Sequence, residues 1–254
     1  LFYVYGTPDR TTGLGLYAYP SDYSGSYRSD FYDVYVTGAF TLGGRSHELV
    51  FGGNWADAAN AEISWYGNDV GTPIADLGSW TGEYPKPSFD SYSSYSGFEY
   101  RRGSAYATVR WNLRDNIKLI TGANYARVST DGVSYGEAKD TETSKTTPFA
   151  GLTVDLDENY SAYASYGEIF SEQGQMDIDN QLVGPITGDS LEAGVKGEWL
   201  DGRLNASAAL FKMNQNNLAE YAGYNPNTGL SYYRGEDASS EGIELTVAGA
   251  LNDI

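Results

Sequence analysis

His47 is the only histidine in the chain, and there is no cysteine. A zinc-type centre needs several nitrogen or sulfur ligands, and a Ser-His-Asp triad needs a histidine flanked by both partners. A single histidine beside a turn meets neither requirement and reads as a polar strand residue. Carboxylates are abundant, 34 Asp plus Glu against 16 Lys plus Arg. In so large a set, some pair falls at glycosidase separation by chance, so number alone assigns no acid–base couple. Asp177, Asp179 and Asp189 resemble a loose calcium loop but lack the spacing and glycine of an EF-hand. An acidic, solvated loop is the expectation there. No enzyme, no catalytic residue and no metal held by protein ligands is therefore expected. What remains is flat aromatic surface. Trp65 and Tyr66 close a strand-like run. Trp80, Tyr84, Tyr92 and Tyr95 follow it, and Tyr221 and Tyr224 flank a later segment. Such rings offer contact area with a hydrogen-bonding tip at low conformational cost.

The elements that must carry these rings are strands. Tyr32, Val34, Val36, Gly38, Phe40 and Leu42 alternate with Asp33, Tyr35, Thr37, Ala39 and Thr41. Leu191, Ala193, Val195, Gly197 and Trp199 alternate with Glu192, Gly194, Lys196 and Glu198, and Ile243, Leu245, Val247, Gly249 and Leu251 repeat the pattern. A period of two means a strand with two chemically distinct faces. Glu192 and Lys196 fall on one polar face, four residues apart. Four short polar turns separate strand pairs: Gly43-Gly44-Arg45, Arg114-Asp115-Asn116, Asp157-Glu158-Asn159 and Asp201-Gly202-Arg203. Gly, Asn and Asp supply the conformations hairpins require. The segments on the other side are long: 68–94, 129–141 and 173–188 read as loops. Short turns alternating with long loops is the layout of an outer-membrane barrel, with all short turns at one end. Trp111, Trp199, Tyr160, Phe40 and Phe149 lie near the short turns and fit an interfacial girdle.

Composition agrees. Aromatics reach 15% while the hydrophobic fraction is 41%, with 23 Tyr and 31 Gly in 254 residues. No apolar run approaches the roughly 18 residues of a membrane-spanning helix. A formal charge of −18 repels phosphate backbones, so nucleic acid is not an expected partner. The chain starts without Met or a signal peptide and ends at Leu251-Asn252-Asp253-Ile254 directly after a strand pattern. It reads as an interior part of a longer protein.

The run Tyr163-Ala164-Ser165-Tyr166-Gly167-Glu168-Ile169-Phe170 leads through a loop to Glu192-Ala193-Gly194-Val195-Lys196. A short turn and Asn205-Ala206-Ser207-Ala208-Ala209-Leu210-Phe211 follow, and Ser240-Glu241-Gly242-Ile243-Glu244 comes later. This order of motifs resembles the barrel of TonB-dependent ferric-siderophore receptors. Residues Gly43 to Gly52 are similar to the ferripyoverdine and ferric-coprogen receptor branch. The resemblance implies an all-β, antiparallel up-and-down transmembrane barrel. Residues 1–254 would form one part of that barrel domain, about ten strands of a 22-stranded barrel, with the plug domain and the C-terminal strands outside the chain. It implies an outer-membrane receptor that binds a ferric siderophore and imports it by TonB-dependent active transport. The TonB-ExbB-ExbD complex would engage an N-terminal region that the chain does not include, outer-membrane lipid would cover one face, and iron would enter only as cargo, with no resident cofactor. It also implies that loop aromatics line an extracellular pocket, with Trp65 in a comparable place. Two other readings fit the residues alone: a passive porin-like barrel, and a soluble secreted β-rich binding module or adhesin.

Overall fold

The structure is a computed structural model. The described residues are 2–250 without Ser91 and Lys139, and for Phe2, Tyr92 and Glu137 the description covers the backbone alone. They form strands and connections, with no helix among them. In chain order the strands are β1 (Phe2–Tyr5), β2 (Tyr17–Leu42), β3 (Arg45–Tyr66), β4 (Tyr92–Arg114), β5 (Ile117–Ser134), β6 (Glu137–Ala138), β7 (Thr141–Asp155), β8 (Tyr160–Ser171), β9 (Ile186–Trp199), β10 (Leu204–Tyr224) and β11 (Ser231–Gly249). They build one sheet in the order β1-β2-β3-β4-β5-β7-β8-β9-β10-β11, with the two-residue β6 paired to β5. Sequence neighbours are sheet neighbours, so the sheet is an up-and-down meander. The 26 residues of β2 and 22 of β3 far exceed the usual five or six of a soluble sheet. They are long enough to cross a bilayer and continue beyond it.

By packing, the chain divides into two compact units: residues 1–30, 57–101 and 130–140, and residues 31–56, 102–129 and 141–254. The second unit contains all four short turns, and they lie at one end. Arg45 Nη1 donates to Asp115 Oδ1 (2.8 Å), Asn116 Nδ2 to the Asp155 carbonyl (3.0 Å), and Asn159 Nδ2 to the Glu198 carbonyl (2.7 Å). Each bond links one turn or strand end to the next, as a barrel's short-turn end requires.

Register separates the two faces. Val195 pairs with Ala208 and Ala162, and Ala193 with Leu210 and Ala164. Ile243 pairs with Leu210 and Leu245 with Ala208. These residues share one face, and there the large apolar side chains are bare: Ile243, Leu245 and Val247 are 70%, 77% and 75% exposed. A soluble sheet does not leave such a band in water. The opposite face carries Glu192, Lys196 and Glu244. There the Tyr163 hydroxyl donates to Glu192 and the Lys196 ammonium sits 4.6 Å from the Tyr163 ring centroid. The sheet is apolar outside and polar inside, the reverse of a soluble protein and the arrangement of an outer-membrane barrel.

Aromatics border the apolar band at the short-turn end. Tyr160 and Trp199 meet edge to face at 5.4 Å, as do Phe40 and Trp111 at 5.9 Å. Phe149 departs from the expected girdle. It pairs with Gly167, one residue out of phase with the outward Ala150 and Leu152, so it faces inward, and its ring lies over Gly122. His47 is buried between Phe40 and Trp111. Its Nδ1 accepts from the Asn112 amide (3.0 Å), so its Nε2 carries the proton and donates to the Leu42 carbonyl (3.1 Å). That is a structural histidine with both nitrogens engaged, as its position beside a turn suggested.

The segment 129–141 is a correction. It reads as a loop from its Ser, Asp and Gly, but β5 continues to Ser134 and β6 pairs back on it, Val133 opposite Ala138 and Ser134 opposite Glu137. Gly132 sits at φ +138°, and a β-carbon there would lie 2.3 Å from the Gly97 carbonyl oxygen. The polar residues turn a long hairpin and do not end the strand.

Candidate ligand-binding surfaces

The expected ligand-contact residues fall into two groups, one in each unit, and they are not equivalent. In the first unit, the chain between β3 and β4 folds back onto residues 13–20. The Ala18 amide donates to the Thr72 carbonyl (2.8 Å), Ile74 to Leu16 (2.8 Å) and Gly71 to Ala18 (2.9 Å). Leu16, Ala18 and Ile74 are buried together, with Trp80 and Tyr84 packed against them. A long connection with its own small apolar core is ordered by that core, as in compact functional loops.

Trp80 and Tyr84 are therefore supports of this loop. The Trp80 Nε1 donates to the Glu83 carbonyl (2.9 Å), and the Tyr84 hydroxyl donates to Asp69. Burial pushes the Tyr84 hydroxyl above its ordinary pKa, and the Asp69 carboxylate adds to the shift. Tyr84 also lines a cavity of about 480 Å³ with Pro20, Ser21, Asp22, Gly82, Pro85, Lys86, Pro87 and Phe89.

Trp65 and Tyr66 end β3, both half-buried. Tyr66 belongs to an aromatic ladder: its ring meets Tyr19 edge to face at 5.5 Å, Tyr19 meets Tyr5 at 6.0 Å, and Tyr5 meets Tyr17 at 5.6 Å. The sequence reading missed Tyr5, Tyr17 and Tyr19. The Tyr-x-Tyr spacing of residues 17 and 19, and again of 3 and 5, was the available signal, since period two places such rings on one face. Tyr95, half exposed, bends its ring back over Gly97 on β4. Tyr92 opens β4, and its side chain lies outside the described residues. On the neighbouring hairpin tip, Tyr135 donates to Glu62, whose carboxylate holds the Tyr135 pKa up at about 12.

In the second unit, Tyr221 and Tyr224 form an exposed patch with Tyr233, the rings 5.9 and 6.2 Å from Tyr221 and nearly perpendicular to it. Tyr221 pairs with Tyr233, which is an even ten residues (243 − 233) before Ile243 on β11. By that alternation both rings share the face of Ile243.

Nothing among the described residues gathers three or more metal-ligating side chains. Asp177 instead ties its own turn, accepting the Asp179 and Gln181 amides at 2.9 Å each, and Asp189 stands on β9, where it accepts from Asn214 (3.0 Å).

The family model for the β-barrel of TonB-dependent receptor-like proteins matches residues 1–253. The ferric-pyoverdine BN7/BN8 receptor of Pseudomonas putida is 37% identical over 253 residues, covering 94% of this chain and 30% of that protein. The ferripyoverdine receptor of Pseudomonas aeruginosa is 33% identical over 241 residues, covering 90% and 29%. The solved pyoverdine outer membrane receptor of P. aeruginosa PAO1, bound to pyoverdine, superposes with a TM-score of 0.89 at 31% identity, over 100% of this chain and 37% of that one. The chain thus spans about a third of the length of its relatives. The bare apolar band, the polar inner face and the turn layout agree with these matches: the chain belongs to the β-barrel family of TonB-dependent receptors of the outer membrane.

Proposed function

We propose that this chain is part of a receptor that binds a ferric siderophore of the pyoverdine class outside the cell and imports it with energy delivered by a TonB-type inner-membrane complex. The observation that carries the reading is the two-faced sheet. Its outer face, with Ile243, Leu245 and Val247, is built for lipid, and its inner face, with Glu192, Lys196 and Tyr163, for a polar interior. The similarity to receptors named for pyoverdine supplies the cargo class. The receptor performs no covalent chemistry. Iron arrives with its coordination sphere filled by the siderophore, so the protein needs no metal ligands and no resident cofactor.

Among the candidate contacts, Trp65 and Tyr66 stand at the end of β3 and Tyr95 near the start of β4. Tyr221 and Tyr224 form a second, more exposed group, with Tyr221 on the face of Ile243 and so away from the polar inner face, and Trp80 and Tyr84 shape the loop. The test is tryptophan fluorescence of the full-length receptor titrated with ferripyoverdines and with hydroxamate ferric siderophores. Quenching at sub-micromolar ferripyoverdine is expected. Trp65→Ala should weaken binding by about 1–2 kcal/mol, as truncation of a contact ring does. Unchanged affinity would remove Trp65 from the site, and absence of binding by any ferric siderophore would contradict the reading as a whole. The 254-residue chain alone should not bind tightly, because an incomplete sheet leaves unpaired edges and its loops must be ordered at the moment of binding.

A further inference from the structure

The connection between β8 and β9, residues 172–185, is long and polar enough to be a lid, yet it is tied to β10 and β11 by side-chain amides. Gln173 Nε2 donates to the Gly184 carbonyl (2.7 Å) and to the Asn217 carbonyl (2.5 Å), while its Oε1 accepts the Ala219 amide (3.0 Å). Asn217 Nδ2 donates to the carbonyls of Val183 (2.9 Å) and Pro185 (3.1 Å). Further along, Asn225 Nδ2 donates to the Ile178 carbonyl (2.7 Å), and the Tyr233 amide donates to Met176 (2.8 Å).

Asn217 can reach the loop because of where β10 breaks its register. Between Gln215 and Leu218 the strand carries one extra residue relative to β11, and Asn217 takes the left-handed conformation at φ +63°. Asparagine tolerates this conformation better than other side-chain-bearing residues. The Asn217 amide is fixed in turn by Asp237 Oδ1 (2.9 Å). The Asn217 side chain lies over Gly235 of β11, the register partner of Ala219, where a β-carbon would lie 2.0 Å from Asn217 Oδ1. A bulge, a left-handed asparagine and the glycine beneath its side chain serve one contact. Bulges that re-aim a side chain in this way are structural devices.

We infer that the 172–185 loop is a fixed wall of the receptor, held before cargo arrives, and that Gln173 and Asn217 are the positioning residues that hold it. The loop is internally braced as well: Met176 bridges Leu182, and the Val183 amide donates to Gln175 (3.0 Å). Each tie satisfies backbone groups that a mobile loop would leave to water, so loosening the loop must break several bonds together. A pre-ordered wall spares the complex the ordering cost at binding, and its loss shows mainly in the dissociation rate. The consequence for cargo rests on the reading of the chain as part of a ferric-siderophore receptor; the order of the loop in the free protein does not.

The experiment is amide hydrogen exchange on the full-length receptor, free and with ferripyoverdine, together with ferripyoverdine association and dissociation rates. In the free receptor the amides of Asp177 and Val183 should already be protected, and loading should change their exchange by no more than about twofold. Gln173→Ala, and Asn217→Gly, which keeps the backbone bulge and loses the amide, should each speed that exchange about tenfold or more while the β8–β9 amides stay protected. Gln173→Glu keeps an acceptor for Ala219 but sets a carboxylate oxygen against the Gly184 and Asn217 carbonyls, so it should speed exchange at least as much as Gln173→Ala. Gly235→Ala should act as Asn217→Gly does, although it lies outside the loop. Ferripyoverdine should leave the variants faster with little change in association rate. Rapid exchange in the free receptor that slows on loading would show a closing lid and overturn the inference, as would unchanged exchange in the variants. Failure of ferripyoverdine to bind would contradict the cargo reading, while exchange in the free receptor would still decide whether the wall is fixed.

Discussion

Val195→Arg is expected to destabilise the full-length barrel by about 2–4 kcal/mol, the cost of a cationic side chain near the bilayer midplane. Val195 lies between Ala162 and Ala208 on the bare apolar face. It is four residues from Trp199, which marks the short-turn border of that face. At a rise of roughly 3.3 Å per residue along a tilted strand, this places it about 10 Å into an apolar band about 25 Å tall. Glu192→Gln on the inner face keeps a carbonyl oxygen for the Tyr163 hydroxyl and should cost about 1 kcal/mol or less. Reversible unfolding in lipid or detergent measures both. Equal losses, or a larger loss for Glu192→Gln, would reverse the assignment of faces.

Gly122→Val should be costly for a different reason. Strand glycines here lie beneath aromatic rings from neighbouring strands: Gly122 under Phe149, Gly194 under Tyr163, Gly242 under Phe211 and Gly103 under Trp55. This pairing accounts for part of the glycine content of the strands. It is the stabilising arrangement in which a ring covers the backbone that a glycine exposes. A β-carbon on Gly122 would lie 2.3 Å from the Phe149 ring and 2.6 Å from the Ala107 carbonyl oxygen, so a ring and a strand must both move. Overpacking of this kind costs about 1–3 kcal/mol. Phe149→Ala in the same protein should recover the part due to the ring and leave the part due to the carbonyl. A neutral Gly122→Val would show that the ring does not rest there.

The barrel was legible because its determinants are local. Gly43-Gly44, Asp115-Asn116 and Asp201-Gly202 specify hairpins from adjacent residues, and period two in Leu191 to Trp199 assigns faces within one strand. What stayed hidden depends on partners distant in the chain or on single-residue shifts of register. The fold-back of residues 67–90 onto 13–20 joins segments some 55 residues apart through Leu16, Ala18 and Ile74, which carry no periodic signature. It gives Trp80 and Tyr84, which are expected ligand contacts, a role as supports of this loop as well. Phe149 was placed in the girdle by its distance from a turn, and its phase against Leu152 decides otherwise, because one residue reverses the face. The extra residue at Asn217 has the same effect within β10 and is invisible without the strand beside it.

Cellular uptake of radioiron presented as ferripyoverdine tests the central claim most directly. The full-length receptor would be expressed as the sole ferripyoverdine receptor of its host, with the inner-membrane energy supply intact or collapsed by a protonophore. Saturable accumulation that stops when the energy supply collapses, while surface binding persists, is the result expected of a TonB-dependent importer. Accumulation that continues without energy and does not saturate would mean a passive pore and would contradict the account.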